Sequence, residues 1–165
     1  MEVIADLHIH SRFSIATGRE ADLEHLDLWG RYKGLQVVGA GDCTHPEWLK
    51  EMAARLEPVG PGVYGLKPEF SLPLELPGPH WDATPAVRFV ITGEVSTIYK
   101  KRGRVRKVHL LLLLPDLEAA TRLSRRLGRL GNVSSDGRPI LGLDAKYLLE
   151  LTLERLQAEF TAAGK

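Results

Sequence analysis

Cysteine is almost missing from this 165-residue sequence: Cys43 stands alone. A single thiol excludes an internal disulfide framework and fits a reducing compartment. Long hydrophobic runs are missing as well. The longest aliphatic stretch, Leu110 to Leu114, is five residues, against the ~20 that a bilayer span requires. The opening MEVIADLHIH has neither a basic start nor a long apolar core, so no signal peptide is read and a cytoplasmic chain without membrane contact is expected. Charge of one sign is lacking too, because 22 Lys and Arg face 21 Asp and Glu. That balance excludes a polycationic nucleic-acid coat and an acidic disordered tail. There is no internal repeat, no Gly-x-Ser-x-Gly setting for a nucleophilic serine and no Walker-type phosphate loop.

What is present is an alternation of strand-like and helix-like segments over a chain that is 44% apolar and 26% charged. Glu2 to His10 reads as a first strand. Leu23, Leu26 and Trp29 recur at helical spacing from about Asp22 to Lys33, with Gly34 placed to end that helix. Leu35 to Gly39 reads as a buried strand, and Pro46 suits the first position of a helix running to about Leu56. Residues 57–87 hold seven of the ten prolines, which predicts loops and short edge strands, with Val63 to Lys67 and Phe70 to Glu75 extended. Arg88 to Tyr99 and Arg106 to Leu114 read as a hairpin. A helix from about Leu117 to Leu130 follows, and Asp144 caps a last helix in which Leu149, Leu153, Leu156 and Phe160 share a stripe. The expectation is an α/β fold with much parallel sheet, one domain over 1–165, and a Pro/Gly-rich insertion-like segment at 57–87.

Four places carry possible chemistry. His8 and His10 are two apart on an extended segment, so their rings share a face and can grip one metal ion; an exposed strand with incidental histidines is the alternative. Asp42 and His45 in GAGDCTHP follow a buried strand, at the carboxyl end where α/β sheets place their sites; a capping loop would use the same residues. Glu94 lies in a β-branched run, where a carboxylate is costly to bury unless it is paired or metal-bound; it otherwise faces outward. His109 opens a leucine run, as a ligand or as a core histidine with one hydrogen bond. Together these make an oxygen/nitrogen donor set for Zn²⁺, Mn²⁺ or Fe²⁺. Cys43 reads as a small buried hydrophobe. The hairpin tip carries Lys100, Lys101, Arg102, Arg104, Arg106 and Lys107, suited either to blunting a strand edge or to gripping phosphates, with Tyr99 beside it as a stacking face. Arg138, in the turn Ser135 to Pro139, is a further phosphate-reaching cation.

The strings ADLHIHSRFS, GAGDCTHPEWL, VITGEVSTIYKKRGRVRKVHLLLL and GNVSSDGRPILGLD resemble the PHP (polymerase and histidinol phosphatase) superfamily, and within it the endonuclease Q group. His-x-His and Gly-x-Glu before a later His are shared across the superfamily; THP-x-W, EVS-x-IYK and SDGRPILGLD are narrower. The resemblance implies a distorted (β/α) barrel with divalent metals, zinc foremost with Mn, Mg or Fe as alternatives, at the strand ends. It also implies a DNA-repair endonuclease nicking DNA on the 5′ side of a deaminated or abasic nucleotide. Carried over by position, His8 and His10 bind a metal, Glu94 bridges two, and His109 completes the nearer side. Asp42 matches an acidic ligand and catalytic group, with Cys43 in the place of a histidine and His45 substituting for it. Endonuclease Q proteins are longer, and a closed barrel takes ~250 residues. The implied barrel is therefore the first half to two-thirds of one, in a truncated chain, one completed by a second copy or a complementary chain, or a non-catalytic relative. A small-molecule phosphoesterase is the alternative activity.

Overall fold

The computed structural model describes residues 2–15, 17–75 and 86–162, with side chains as far as residue 153. Its elements are β1 (Ala5–Asp6), α1 (Leu23–Lys33), β2 (Val37–Gly39), α2 (Pro46–Arg55), β3 (Leu56–Gly60), β4 (Val63–Leu66), a 3₁₀ turn (Pro68–Phe70), β5 (Arg88–Lys101), β6 (Arg104–Leu114), α3 (Leu117–Leu127), β7 (Ile140–Leu141) and α4 (Ala145–Ala162).

The fold is mixed α/β with an open sheet in the order β1-β2-β5-β4-β3. β1, β2 and β5 run parallel; β4 returns antiparallel to β5, and β3 is antiparallel to β4. The 14-residue β5 is the axis of the molecule. Its first residues pair with β2 and β4, Ile91 to Lys101 pair with β6, and Ser96 and Thr97 take β7 in parallel. The sheet is thus less parallel than the alternation suggests, because two hairpins share β5 with the parallel strands.

Local chemistry explains most boundaries. Asp22 accepts from the His25 N–H to cap α1, and Gly34 ends it at φ 70°. Asp116 caps α3 in the same manner, and Pro46 opens α2 at a position that needs no N–H. The β5–β6 hairpin turns through Arg102 and Gly103, both at positive φ.

Four expectations are corrected. The first strand is two residues rather than nine, because the chain leaves the sheet after Asp6. The second correction concerns residues 56–60, which form an edge strand, β3, that tolerates Pro58 at the sheet margin. Phe70 to Glu75 is a 3₁₀ turn followed by irregular chain, and 76–85 lie outside the described residues. Finally, α4 buries Leu148 and Leu151, while Leu149 and Leu153 are exposed; the side chains of Leu156 and Phe160 lie outside the described residues. On α1, Trp29 likewise faces solvent.

The core gathers Leu23, Trp48, Met52, Phe89, Ile91, Val95, Leu127, Leu148 and Leu151 between the helices and the sheet. Cys43 belongs to it, fully buried. Burial, with the Asp42 charge next to it, pushes its thiol up to about 12. At pH 8, iodoacetamide should therefore label Cys43 in urea but leave the native chain unmodified over the same interval, as mass spectrometry would read; rapid native labelling would contradict the burial. No helix among the described residues is long and apolar enough to cross a membrane.

Candidate metal centre

The ends of β1 and β2 meet the middle of the β5–β6 hairpin at Glu94. The segment after β1 brings His8 and His10, the turn after β2 brings Asp42, and β5 with β6 bring Glu94 and His109. The approach requires glycine. At Gly41, which lies at φ 68°, a Cβ would meet the Ile9 carbonyl oxygen at 2.6 Å, so the histidine segment could not lie against the end of β2. Asp42 itself sits at φ 47°, an uncommon conformation for a residue with a side chain and one concentrated at functional sites. The strained turn stays tied to β5: Thr92 Oγ1 accepts from the Gly41 N–H at 3.1 Å, and the Thr92 carbonyl accepts from the Cys43 N–H at 3.1 Å.

Glu94 is nearly buried, and imidazoles surround it. His8 Nε2 lies 3.0 Å and His10 Nε2 3.2 Å from Oε2, and His109 Nδ1 rests against Oε1. Burial opposes its charge, but the hydrogen bond from His8 and the charges of His109, Arg138 and His10 prevail, holding the carboxyl below its usual range. Its Oε1 is buried, with His109 as its ion-pair partner.

Asp42 stands behind His10. Its Oδ1 meets His10 Nδ1 at 2.9 Å, while Oδ2 accepts from the Ser11 N–H at 2.7 Å and the Ser11 hydroxyl at 2.6 Å. The Ser14 hydroxyl reaches both oxygens, at 3.1 and 3.0 Å. A bond from His10 Nδ1–H to Asp42 leaves Nε2 as the ring atom turned to Glu94 Oε2. His8, His10 and Glu94 each offer a ligand atom, all within 4.8 Å of one another. Two imidazoles and a buried carboxylate fit a divalent ion, and carboxylate-to-histidine support is the usual outer layer of such a site.

Sequence reasoning gathered His8, His10, Glu94, His109 and Asp42, and the fold brings them together. Asp42 differs in placement, since its oxygens are taken up by Ser11, Ser14 and His10 rather than turned to the cluster. His45 is not brought in. Its Nδ1 accepts from the Trp48 N–H at the start of α2, its Nε2 donates to the Ser134 carbonyl at 3.1 Å, and its ring stacks on Phe13. Both nitrogens are spent on structure, so the expected ligand is a helix cap. Ser11 and Ser14 escaped the sequence reading; their one signal is two hydroxyls placed directly after His-x-His.

The basic tip lies on the same hairpin. At ~3.3 Å per residue, Lys100 is ~20 Å along β5 from Glu94, about six base pairs of duplex. Lys100, Lys101, Arg102, Arg104, Arg106 and Lys107 are all exposed. Lys101 is bound to Asp144 Oδ2 at 3.0 Å, which diverts it from an external phosphate.

No protein-family model matches the chain. An uncharacterised protein of Methanocaldococcus jannaschii is 29% identical over 147 residues, covering 88% of this chain and 14% of that protein. Among solved structures, the lesion-specific endonuclease PfuEndoQ of Pyrococcus furiosus is similar at a TM-score of 0.71 and 29% identity, over 92% of this chain and 32% of its own. The same figures hold for endonuclease Q in complex with a 27-mer duplex bearing an abasic lesion at the active site. The chain thus spans about a third of the solved structures it resembles, and over that span its fold is similar to endonuclease Q.

Proposed function

We propose that this chain carries the metal-binding part of an endonuclease Q-like phosphodiesterase of the PHP type, nicking DNA on the 5′ side of a deaminated or abasic nucleotide. The observation that carries the reading is the convergence of His8, His10 and Glu94, whose ligand atoms all lie within 4.8 Å of one another around a buried carboxylate. Similarity in fold and sequence to a lesion-specific endonuclease supplies the substrate class.

His8, His10 and Glu94 would hold the ion, with zinc the best match to two imidazoles and a carboxylate. When bound, a divalent ion supplies positive charge for a phosphoryl oxygen and acidity for the attacking water. Asp42 keeps the proton of His10 on Nδ1, leaving Nε2 as the ligand atom. His109 supports Glu94 from the β6 side. His8 and His109 are half exposed, at 52% and 57%, so the centre opens to a polymer rather than closing over a small ester. The cations of the hairpin tip would grip flanking phosphates, and a lesion would be read outside the stack. β6, paired on one side by β5, is where further strands would continue the sheet toward a barrel.

The test is metal content by mass spectrometry, with nicking of a duplex containing a single abasic site or deoxyinosine. Zinc or manganese at stoichiometric level or above, and chelator-sensitive cleavage 5′ to the lesion, are expected; a purified, folded chain that takes up no metal overturns the reading. Rising salt should weaken DNA cleavage steeply, with log affinity falling by ~0.9 per phosphate contact for each unit of log salt. A salt-insensitive rate would favour a small phosphoester.

A further inference from the structure

Arg138 lies beside the centre, and among the described residues its side chain has no hydrogen-bond or ion-pair partner. β7 runs parallel to β5 with Ile140 opposite Ser96, and the Pro139 carbonyl accepts from the Ser96 N–H at 3.0 Å. Carried back two residues, that register sets Arg138 next to Glu94, and its charge contributes to holding the Glu94 carboxyl ionised. Yet the two form no ion pair, and the Arg138 Nε is buried with no hydrogen bond. Neighbouring carboxylates are already committed. Asp136 Oδ1 accepts from the Arg138 and Ile15 N–H groups, at 3.0 and 3.3 Å. Asp42 serves Ser11, Ser14 and His10, and Glu94 serves the three histidines.

The loop is held firmly enough to aim that side chain. The Ser134 carbonyl is bound by His45 Nε2 at 3.1 Å, and the Gly137 N–H donates to the Phe13 carbonyl at 2.8 Å. A Cβ on Gly137 would fall 2.1 Å from Asp42 Oδ2, so this loop lies directly against the carboxylate that supports His10. A buried donor left unsatisfied is costly to the folded chain. The side chain as a whole is half-buried, and a guanidinium held beside the cluster suits two oxygens of one anion.

We propose that Arg138 is a phosphate anchor, gripping the non-bridging oxygens of a phosphodiester beside the Glu94 cluster. The inference rests on the phosphodiesterase reading for its substrate, but its binding test does not require turnover. Inorganic phosphate is titrated into the chain, with and without zinc, and followed by calorimetry. Arg138→Ala should weaken phosphate about tenfold or more, the loss of a charge-assisted pair. Arg138→Lys should fall between the two, since it retains charge but loses the fork. Zinc content should stay unchanged in both variants. Lys100→Ala should lower affinity for a lesion-bearing duplex while leaving phosphate affinity intact. Equal phosphate affinity in wild type and Arg138→Ala overturns the proposal, as does a loss of zinc together with phosphate, or an equal effect from Lys100→Ala. Phosphate binding that depends on Arg138 in a chain taking no metal would uphold the anchor while the hydrolase reading falls.

Discussion

Glu94→Gln should abolish lesion-dependent nicking and reduce zinc affinity by more than the ~10–100-fold typical of losing a supporting residue behind a ligand. The substitution is nearly isosteric, so the fold is expected to persist and the loss to be electrostatic. In the native chain one carboxylate answers three imidazoles, with His8 and His10 on Oε2 and His109 on Oε1. An amide has no formal charge to offer an ion. Calorimetric zinc titration reads the change directly, and melting reads it independently. Saturating metal at a hundredfold over Kd stabilises by ~2.7 kcal/mol, worth ~2–4 °C per kcal/mol in a chain of this size. That metal-dependent rise should be present in wild type and absent in Glu94→Gln. Asp42→Asn is the graded companion: His10 loses its fixed tautomer but keeps its position, and the expected loss is ~10–100-fold. Wild-type zinc affinity in Glu94→Gln would dismiss the centre.

The second large effect is structural and reaches the same centre. Trp48 is fully buried on α2, and its indole N–H donates to the carbonyls of Ala40 and Gly41, at 3.1 and 3.0 Å. Those carbonyls lead into the strained turn that presents Asp42. Trp48→Ala should therefore cost ~3–5 kcal/mol through the cavity it leaves, a large part of the ~5–15 kcal/mol that holds a domain together. Trp48→Phe retains much of the ring volume but strands two buried acceptors, for which ~1–3 kcal/mol is expected. Urea denaturation monitored by circular dichroism measures both. Zinc affinity should weaken in Trp48→Phe as the turn loses its anchor; a stability loss below ~1 kcal/mol in Trp48→Ala would contradict this packing.

Much of this was legible before any coordinates, for local reasons. Asp22, Asp116 and Gly34 mark helix ends because a cap is satisfied within a few residues of chain. Arg102-Gly103 marks the hairpin because the turn demands positive φ. The chemistry of His8, His10, Glu94 and His109 was legible as a donor set only jointly, since each of them alone had an ordinary structural role open to it. Other features were hidden for equally physical reasons. The leucine spacing on α4 suggests one stripe, yet packing against the core selects Leu148 and Leu151 and leaves Leu149 and Leu153 in solvent. His45 has the type and position of a ligand, and its role was decided by the Trp48 N–H and the Ser134 carbonyl, the latter 89 residues away.

By itself the sequence determined which groups could meet a divalent cation, where helices begin and end, and that no disulfide or long apolar span was available. These follow from side-chain chemistry and short-range hydrogen bonding, which need no distant partner. Only the tertiary structure decided that β5 would pair with β2, β4 and β7 besides its own hairpin partner, that Asp42 would stand behind His10, and that Arg138 would come to rest beside Glu94 with no side-chain partner among the described residues. Each is a contact between segments dozens of residues apart, selected by which acceptors remain free once the core has closed.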